Sequence, residues 1–222
     1  MHGGHFSLRA TAPKDAQMTT RTLFPTLVRE EKVSDLDFAE QLEKVCWLLA
    51  EEDDAGNAWC EEQGYGGYTS YASLDDLPER FPEFAELKSR LAPIADDFAK
   101  QLHWDMDGLA LQLDAIWVNI LEPGFGHSNH IHPGSVLSGT YYISVPEGSG
   151  RLKLEDPRLS KMMAAPQLVD DVPESARRFI YLPPSIGHAF FWESWLRHEV
   201  PAGPDAEEPR VSISFNYALK RL

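Results

Sequence analysis

Three histidines stand close together in GFGHSNHIHPGS at positions 124–135: His127, His130 and His132. His130 and His132 are two apart, and residues i and i+2 of a strand point to one face. Two imidazoles on one face make half of a metal site, because neutral imidazole suits iron, zinc, copper and nickel. A mononuclear site then needs a third ligand from elsewhere in the chain. Two candidates lie downstream: His188, after LPPSIG, and His198, in SWLRHEV. His103 sits beside Trp104 in a helical region, where packing or capping is its expected role. His2 and His5 belong to a polar N-terminal stretch and are given no metal role. The plain alternative for the HxH pair is a polar loop whose histidines bond to water and backbone.

The second chemical feature is RVSISFNYAL at 210–219. Its odd positions, Val211, Ile213, Phe215 and Tyr217, are apolar. Its even positions, Arg210, Ser212, Ser214 and Asn216, are polar. In a small barrel such a strand turns one row to the outer packing layer and the other to the interior. A polar inner row with an Arg at its mouth fits a carboxylate pocket, since guanidinium offers a paired fork and a nearby hydroxyl can add to it. The alternative is an edge strand with a solvated polar face, with Arg210 exposed and paired to Glu207 or Glu208.

The elements that must position these residues change in kind along the chain. Residues 1–19 read as a flexible tail. From Ser34 to Glu52 apolar residues recur at three- and four-residue steps (Phe38, Leu42, Val45, Cys46, Leu49), which predicts an amphipathic helix with Ser34 or Asp35 as its cap. Cys46 lies on the buried stripe and reads as a core thiol. Ala55–Ser73 reads as loop. A second helical region is expected from Leu74 to Leu102, with Pro93 kinking or breaking it. After Gly108 the period drops to two. Strands are expected at Leu109–Leu121, Val136–Val145, Arg151–Leu154, Arg178–Leu182, Ala189–Trp192 and Val211–Leu219, with turn residues between them. Strands that follow helices, rather than alternate with them, disfavour a parallel α/β sheet. The division is therefore a tail (1–19), a helical region packed on the barrel (20–107) and a β-barrel (108–222).

Taken in order, HxH, a distal His198 66 positions on, and Arg210 twelve further with Ser212 resemble the Fe(II)- and 2-oxoglutarate-dependent oxygenases. The likeness extends to NILEPG at 119–124, SGTYYISVPEGSGRLKLEDPR at 138–158 and SWLRHEV followed by RVSISFNY. Within that superfamily the sequence is most similar to a bacterial group of unknown substrate that carries H-x-H-P-G-S, S-G-x-Y-Y and R-x-S-x-x-F-N. The resemblance covers about Leu109 to Leu219, with a weaker echo at Thr22-Leu23-Phe24-Pro25. It implies a mainly β chain with N-terminal helices, built on a double-stranded β-helix (a jelly-roll, cupin-like barrel). It implies Fe(II) on His130, His132 and His198, and 2-oxoglutarate on Arg210 with Ser212, Tyr142 and Asn119 beside it. The activity implied is a dioxygenase oxidising an unknown, small-molecule substrate. One departure is that His132 stands where the family's HxD or HxE motif has its acid. Asp156 and Glu155 are the nearest acids downstream, and both read as turn and salt-bridge residues.

A cupin is the rival reading. Gly124, His130 and His132 fit G-x5-H-x-H, Gly139 falls where a cupin glycine would, and His188 would be the third ligand. The usual cupin Glu is missing, with Ser135 and Val136 in its place. A third possibility is a β-sandwich interaction protein with incidental histidines. Composition narrows the setting. The 222 residues carry a net charge of −15, which repels a phosphate backbone and argues against nucleic acid or an anionic membrane as partner. No apolar run is long enough to span a membrane. Two cysteines and no leader-like segment lead to the expectation of a cytoplasmic protein. A homodimer would be compatible with all of this.

Overall fold

The structure is a computed structural model and describes residues 20–203 and 205–222. The expected tail at 1–19, with His2 and His5, lies outside the described residues. After strand β1 (Val28–Lys32) come helices α1 (Leu36–Glu52) and α2 (Asp54–Gln63), strand β2 (Gly67–Thr69), and helices α3 (Leu77–Arg80) and α4 (Pro82–Gln101). The barrel follows: β3 (Leu109–Leu121), β4 (His127–His130), β5 (Leu137–Ser144), β6 (Leu152–Glu155), a short helix α5 (Leu159–Ala164), β7 (Phe179–Leu182), β8 (His188–Glu193), β9 (His198–Val200) and β10 (Arg210–Arg221). The strands form a six-stranded sheet, β1-β8-β5-β10-β3-β2, and a four-stranded sheet, β4-β9-β6-β7. Every pairing is antiparallel.

The period-two alternation sorts side chains between two layers. One face of the larger sheet packs on the helices. Val211, Ile213, Phe215 and Tyr217 of β10 share that core with Ile116, Val118 and Ile120 of β3 and with Leu42, Cys46, Leu87, Leu91 and Phe98 of the helices. The opposite face looks at the smaller sheet, where Tyr142, Phe190 and Trp192 pack with Leu152, Leu154 and Leu196. The helices are fastened by ordinary caps. The Asp35 carboxylate accepts from Phe38 N–H at the start of α1, and Asp53 accepts from Gly56 N–H at the start of α2; both satisfy an otherwise orphaned first-turn donor. Gly64, at φ +64°, closes α2 in the left-handed conformation that suits glycine.

Several expectations need correction. Residues 55–73 are not all loop: α2 and β2 lie there, and β2 pairs with β3. The Gly- and acid-rich composition hid an amphipathic turn whose buried members are only Gly56 and Cys60. The N-terminal region is thus not helical alone, since it lends β1 and β2 to the barrel's larger sheet. Pro93 does not break α4, which runs through it. The carbonyl it frees belongs to Ser89, on the exposed side, where water can satisfy it, while Leu91, Ala95 and Phe98 hold the buried side in register. His103 adopts φ +58° just past α4 and donates its N–H to Lys100 O, so it does serve as a cap.

Close packing at Gly139 gives a test. It sits on β5 opposite Phe215 of β10. A Cβ there would lie 2.3 Å from the Phe215 ring and 2.6 Å from Phe190 O. Gly139→Ala should destabilise the chain by about 1–3 kcal/mol, the usual cost of overpacking, read as a lower urea midpoint at unchanged slope. A midpoint equal to wild type would mean that the core around Phe215 yields more easily than this contact implies.

Candidate metal centre and adjoining chamber

The site lies between the sheets. Gly126, at the entry to β4, passes so close to Val200 O of β9 that a Cβ would meet it at 2.4 Å. From there β4 pairs with β9, and His130 stands opposite His198. His198 is also paired with Leu154 of β6, which points it inward. His132 arrives differently from the expected way. β4 ends at His130, and no strand carries the two histidines together. His132 opens the HPG turn, with its backbone N–H donating to Ser194 O. The same-face convergence is real, but a turn and a backbone hydrogen bond produce it, not strand alternation.

His130, His132 and His198 place one ligand nitrogen each within 4.8 Å of one another. His130 Nδ1 lies 2.7 Å from Ser128 O, and His198 Nδ1 lies 2.9 Å from Leu196 O. Both carbonyls require an N–H donor at Nδ1, which leaves Nε2 of each ring as a lone pair, the usual orienting role of a second-layer carbonyl. His132 Nε2 is 3.2 Å from His198 Nε2. Two nitrogens bound at right angles to one ion, about 2.1 Å from it, would lie roughly 3 Å apart. The pair therefore fits an ion without rearrangement. Burial holds His132 and His198 neutral: it lowers the first to about 4 and the second to about 3, with neighbouring imidazoles adding to the effect. Trp117 packs against His132 and Trp192 against His198.

A chamber opens beside the three rings. It is lined by Trp117, Asn119, His127, Thr140, Tyr142, Trp192, Arg210 and Ser214, among others, and no carboxylate of the described residues lines it. Arg210 is 5% exposed, so the exposed, Glu-paired alternative does not occur. Its Nη1 donates to Gly150 O, and its Nε has no partner among the described residues. Burial lowers its pKa, and the Tyr142 and Tyr65 hydroxyls oppose that in part. The Arg210 guanidinium carbon lies 5.8 Å from the Tyr142 ring centre. The Tyr142 hydroxyl is buried without a partner among the described residues, and burial pushes it up to about 12. Asn119 donates to Ser214 Oγ and accepts from Thr69 Oγ1. Ser212 is buried on the inward row, but Ser214 is the hydroxyl of β10 that lines the chamber.

The remaining candidates lie elsewhere. His188 pairs with Lys32 across β8 and β1, with Nδ1 3.3 Å from Glu30, so the cupin ligand set is not assembled. His127 lines the chamber but stands outside the three-histidine group, bonded to Tyr65. Glu155 accepts from Asn129, and Asp156 accepts from Arg158 and Lys161, so neither supplies the missing acid. Sequence reasoning missed Tyr65 and Thr69, which reach the site from the segment read as loop. The aromatic residues spaced by glycines in GYGGYT were the only signal there.

Known proteins bear on this geometry. Residues 115–216 match the family model described as "Putative 2OG-Fe(II) oxygenase". No curated protein matches the chain. Solved structures do. The epimerase SnoN, in complex with Fe3+, alpha ketoglutarate and nogalamycin RO, is 16% identical with a TM-score of 0.60, covering 88% of this chain and 81% of that one. HygX from Streptomyces hygroscopicus, with nickel and 2-oxoglutarate bound, is 13% identical with a TM-score of 0.54, covering 87% and 82%. A Pseudomonas putida prolyl-4-hydroxylase is 14% identical with a TM-score of 0.52, covering 87% and 85%. These likenesses fix the fold as a double-stranded β-helix.

The buried histidines give the metal-free protein a pH signature. Their folded pKa values lie below the unfolded value near 6.5, so the unfolded chain binds more protons in the interval between. Stability should be full above pH 6.5 and fall as pH drops toward 4, by about 1.4 kcal/mol per pH unit for each ring. Urea melts at several pH values would show it. Flat stability over that window would mean that the rings are solvated.

Proposed function

We propose that this chain, whose barrel belongs to the 2OG-Fe(II) oxygenase family, holds Fe(II) on His130, His132 and His198 and 2-oxoglutarate against Arg210, and oxidises a small-molecule substrate. The observation that carries the reading is Arg210: a buried guanidinium with no carboxylate partner among the described residues, in the chamber that the three imidazoles border. A buried cation without a counter-charge is costly. A dianion reaching from the ion to Arg210 would relieve it. The metal and cosubstrate supply the oxidising chemistry when bound, in which O₂ converts 2-oxoglutarate to succinate and CO₂ and oxidises the substrate.

The chain's own residues bind, orient and exclude water. Ser128 O and Leu196 O fix the tautomers of His130 and His198 so that Nε2 faces the ion. Arg210 keeps Nε and Nη2 for a carboxylate because Nη1 is committed to Gly150 O. The free Tyr142 hydroxyl is a further donor to that carboxylate, with Ser212 backing the guanidinium and Asn119 fixing the adjoining wall. Phe190, Leu152 and Trp192 keep bulk water from the inner face. Three neutral imidazoles bring no negative charge to the ion, so 2-oxoglutarate supplies the anionic ligands. The bound groups named for SnoN and HygX agree with this cofactor pair. Cys46 and Cys60 are free and buried, and we place the protein in the reducing cytoplasm. The charge of −15 disfavours a nucleic-acid substrate. No described helix is long and apolar enough to cross a membrane.

Anaerobic titration with Fe(II) and 2-oxoglutarate tests the proposal. A weak visible charge-transfer band should form only when both are present. His132→Ala or His198→Ala should weaken Fe(II) binding at least tenfold by calorimetry, the scale on which losing even an outer partner of a metal ligand is felt. Arg210→Ala should abolish substrate-linked succinate release while Fe(II) affinity stays within about twofold. Wild-type consumption of 2-oxoglutarate by Arg210→Ala would leave only a metal-binding barrel.

A further inference from the structure

Tyr65, between α2 and β2, and Thr69, at the end of β2, lie outside the residues that match the family, yet each grips a chamber residue. Thr69 Oγ1 donates to Asn119 Oδ1 at 3.0 Å. The Tyr65 hydroxyl lies 2.8 Å from His127 Nε2, with the two rings edge to face. Asn119 is fully engaged, since its amide also donates to Ser214. His127 is not, because its Nδ1 has no partner among the described residues.

The partners available decide which nitrogen of His127 carries the proton. The Tyr65 hydroxyl has one hydrogen to give, and His127 Nε2 is its one partner among the described residues. If Nε2 kept its own hydrogen, the phenol hydrogen would be left without an acceptor in a desolvated place, a costly arrangement. Tyr65 therefore donates, and the imidazole proton sits on Nδ1. Burial keeps both groups in these states, holding His127 neutral at about 3 and the Tyr65 phenol protonated well above its ordinary value. Arg210 is close enough to His127 to lower its basicity further. The chamber thus sets an uncharged N–H donor near its guanidinium.

A carboxylate can accept about four hydrogen bonds. Arg210 offers Nε and Nη2, and Tyr142 offers its hydroxyl, which makes three. We infer that His127 is a further binding residue for the cosubstrate, its Nδ1–H donating to the carboxylate that faces Arg210, and that Tyr65 is the positioning residue that fixes this tautomer. The inference rests on the cosubstrate reading above. It makes the N-terminal region a determinant of cosubstrate choice: the far end of the chamber is built for a dicarboxylate, and a 2-oxo acid with no second carboxylate gains nothing from it.

The test compares affinities for 2-oxoglutarate and pyruvate in the anaerobic Fe(II)-loaded protein, by calorimetry and the visible band. His127→Ala should weaken 2-oxoglutarate binding by about tenfold or more, the worth of one charge-assisted hydrogen bond. Pyruvate and Fe(II) affinities should stay within about twofold. His127→Asn, whose amide nitrogen falls near the Nδ1 position, should recover most of the loss. Tyr65→Phe, which removes one oxygen and no bulk, should weaken 2-oxoglutarate binding by a smaller factor, again sparing pyruvate. Thermal melts identify any variant that fails to fold, and Tyr65→Phe then carries the test. Equal losses for both acids, or no loss for 2-oxoglutarate, would overturn the inference and leave the cosubstrate reading standing. A wild-type protein that binds Fe(II) but neither acid would overturn both.

Discussion

Taking a guanidinium out of water costs several kcal/mol, and a single carbonyl recovers little of it. Arg210 has been taken out of water in this way, and most of the barrel is arranged to make that possible. It occupies the first position of β10, whose partners β3 and β5 flank it on both sides. Its neighbours across the chamber are a tyrosine whose hydroxyl is free and histidines held neutral by burial. A carboxylate anywhere on that wall would have cancelled the charge and closed the chamber to an anion. The acids of this very acidic chain are instead spent outside it, as where Glu199 pairs with Lys153 and Asp156 with Arg158 and Lys161. The unpaired cation is thus the product of where carboxylates are absent as much as of where the arginine is.

The large sheet makes this affordable because its two faces do different work. The helix-side face carries a continuous apolar core from α1 and α4 through β3, β5, β8 and β10. That core stabilises the sheet without help from the other side. The inner face can then hold Asn119, Thr140, Arg210 and Ser214, residues that would be liabilities in a sheet dependent on both faces. One polar network bridges the layers: Ser138 donates to Asn216 and meets Ser194. The Ser194 carbonyl in turn receives the His132 N–H. The position of His132 is therefore tied to β5 and β10, and not to the turn alone.

How much of this was legible in the sequence varied with the range of the forces involved. The alternation in β10 was readable because each side chain's face is a local property, and it gave the direction of Arg210 and of the apolar row. His198 was readable from its place ahead of that strand. Of the short strands, β6 and β7 were readable from alternation and three others were not. β2, β4 and β9 have three or four residues each, and their pairing is decided by distant partners. His132 converged by a turn anchored on Ser194, a contact across the barrel that spacing cannot express. The run from Ala55 to Ser73 looked like loop because its composition is that of turns. The helix and strand inside it form because Asp53 caps one and Ile120 pairs with the other. Pro93 misled for a related reason, since the cost it imposes falls on an exposed carbonyl and the buried side of α4 outweighs it.

The two outermost strands of the six-stranded sheet, β1 and β2, both come from the N-terminal region. Val28 pairs with Trp192, about 160 positions later in the chain. During synthesis β1 must therefore wait for β8 before the two can pair. Contacts of such high sequence separation slow folding, and until they form, the margins of β8 and β3 are open to pairing with other chains. A barrel whose outer strands pair with such distant residues is protected from self-association only once those strands are in place, so nascent and proteolytically trimmed forms are the ones exposed to aggregation.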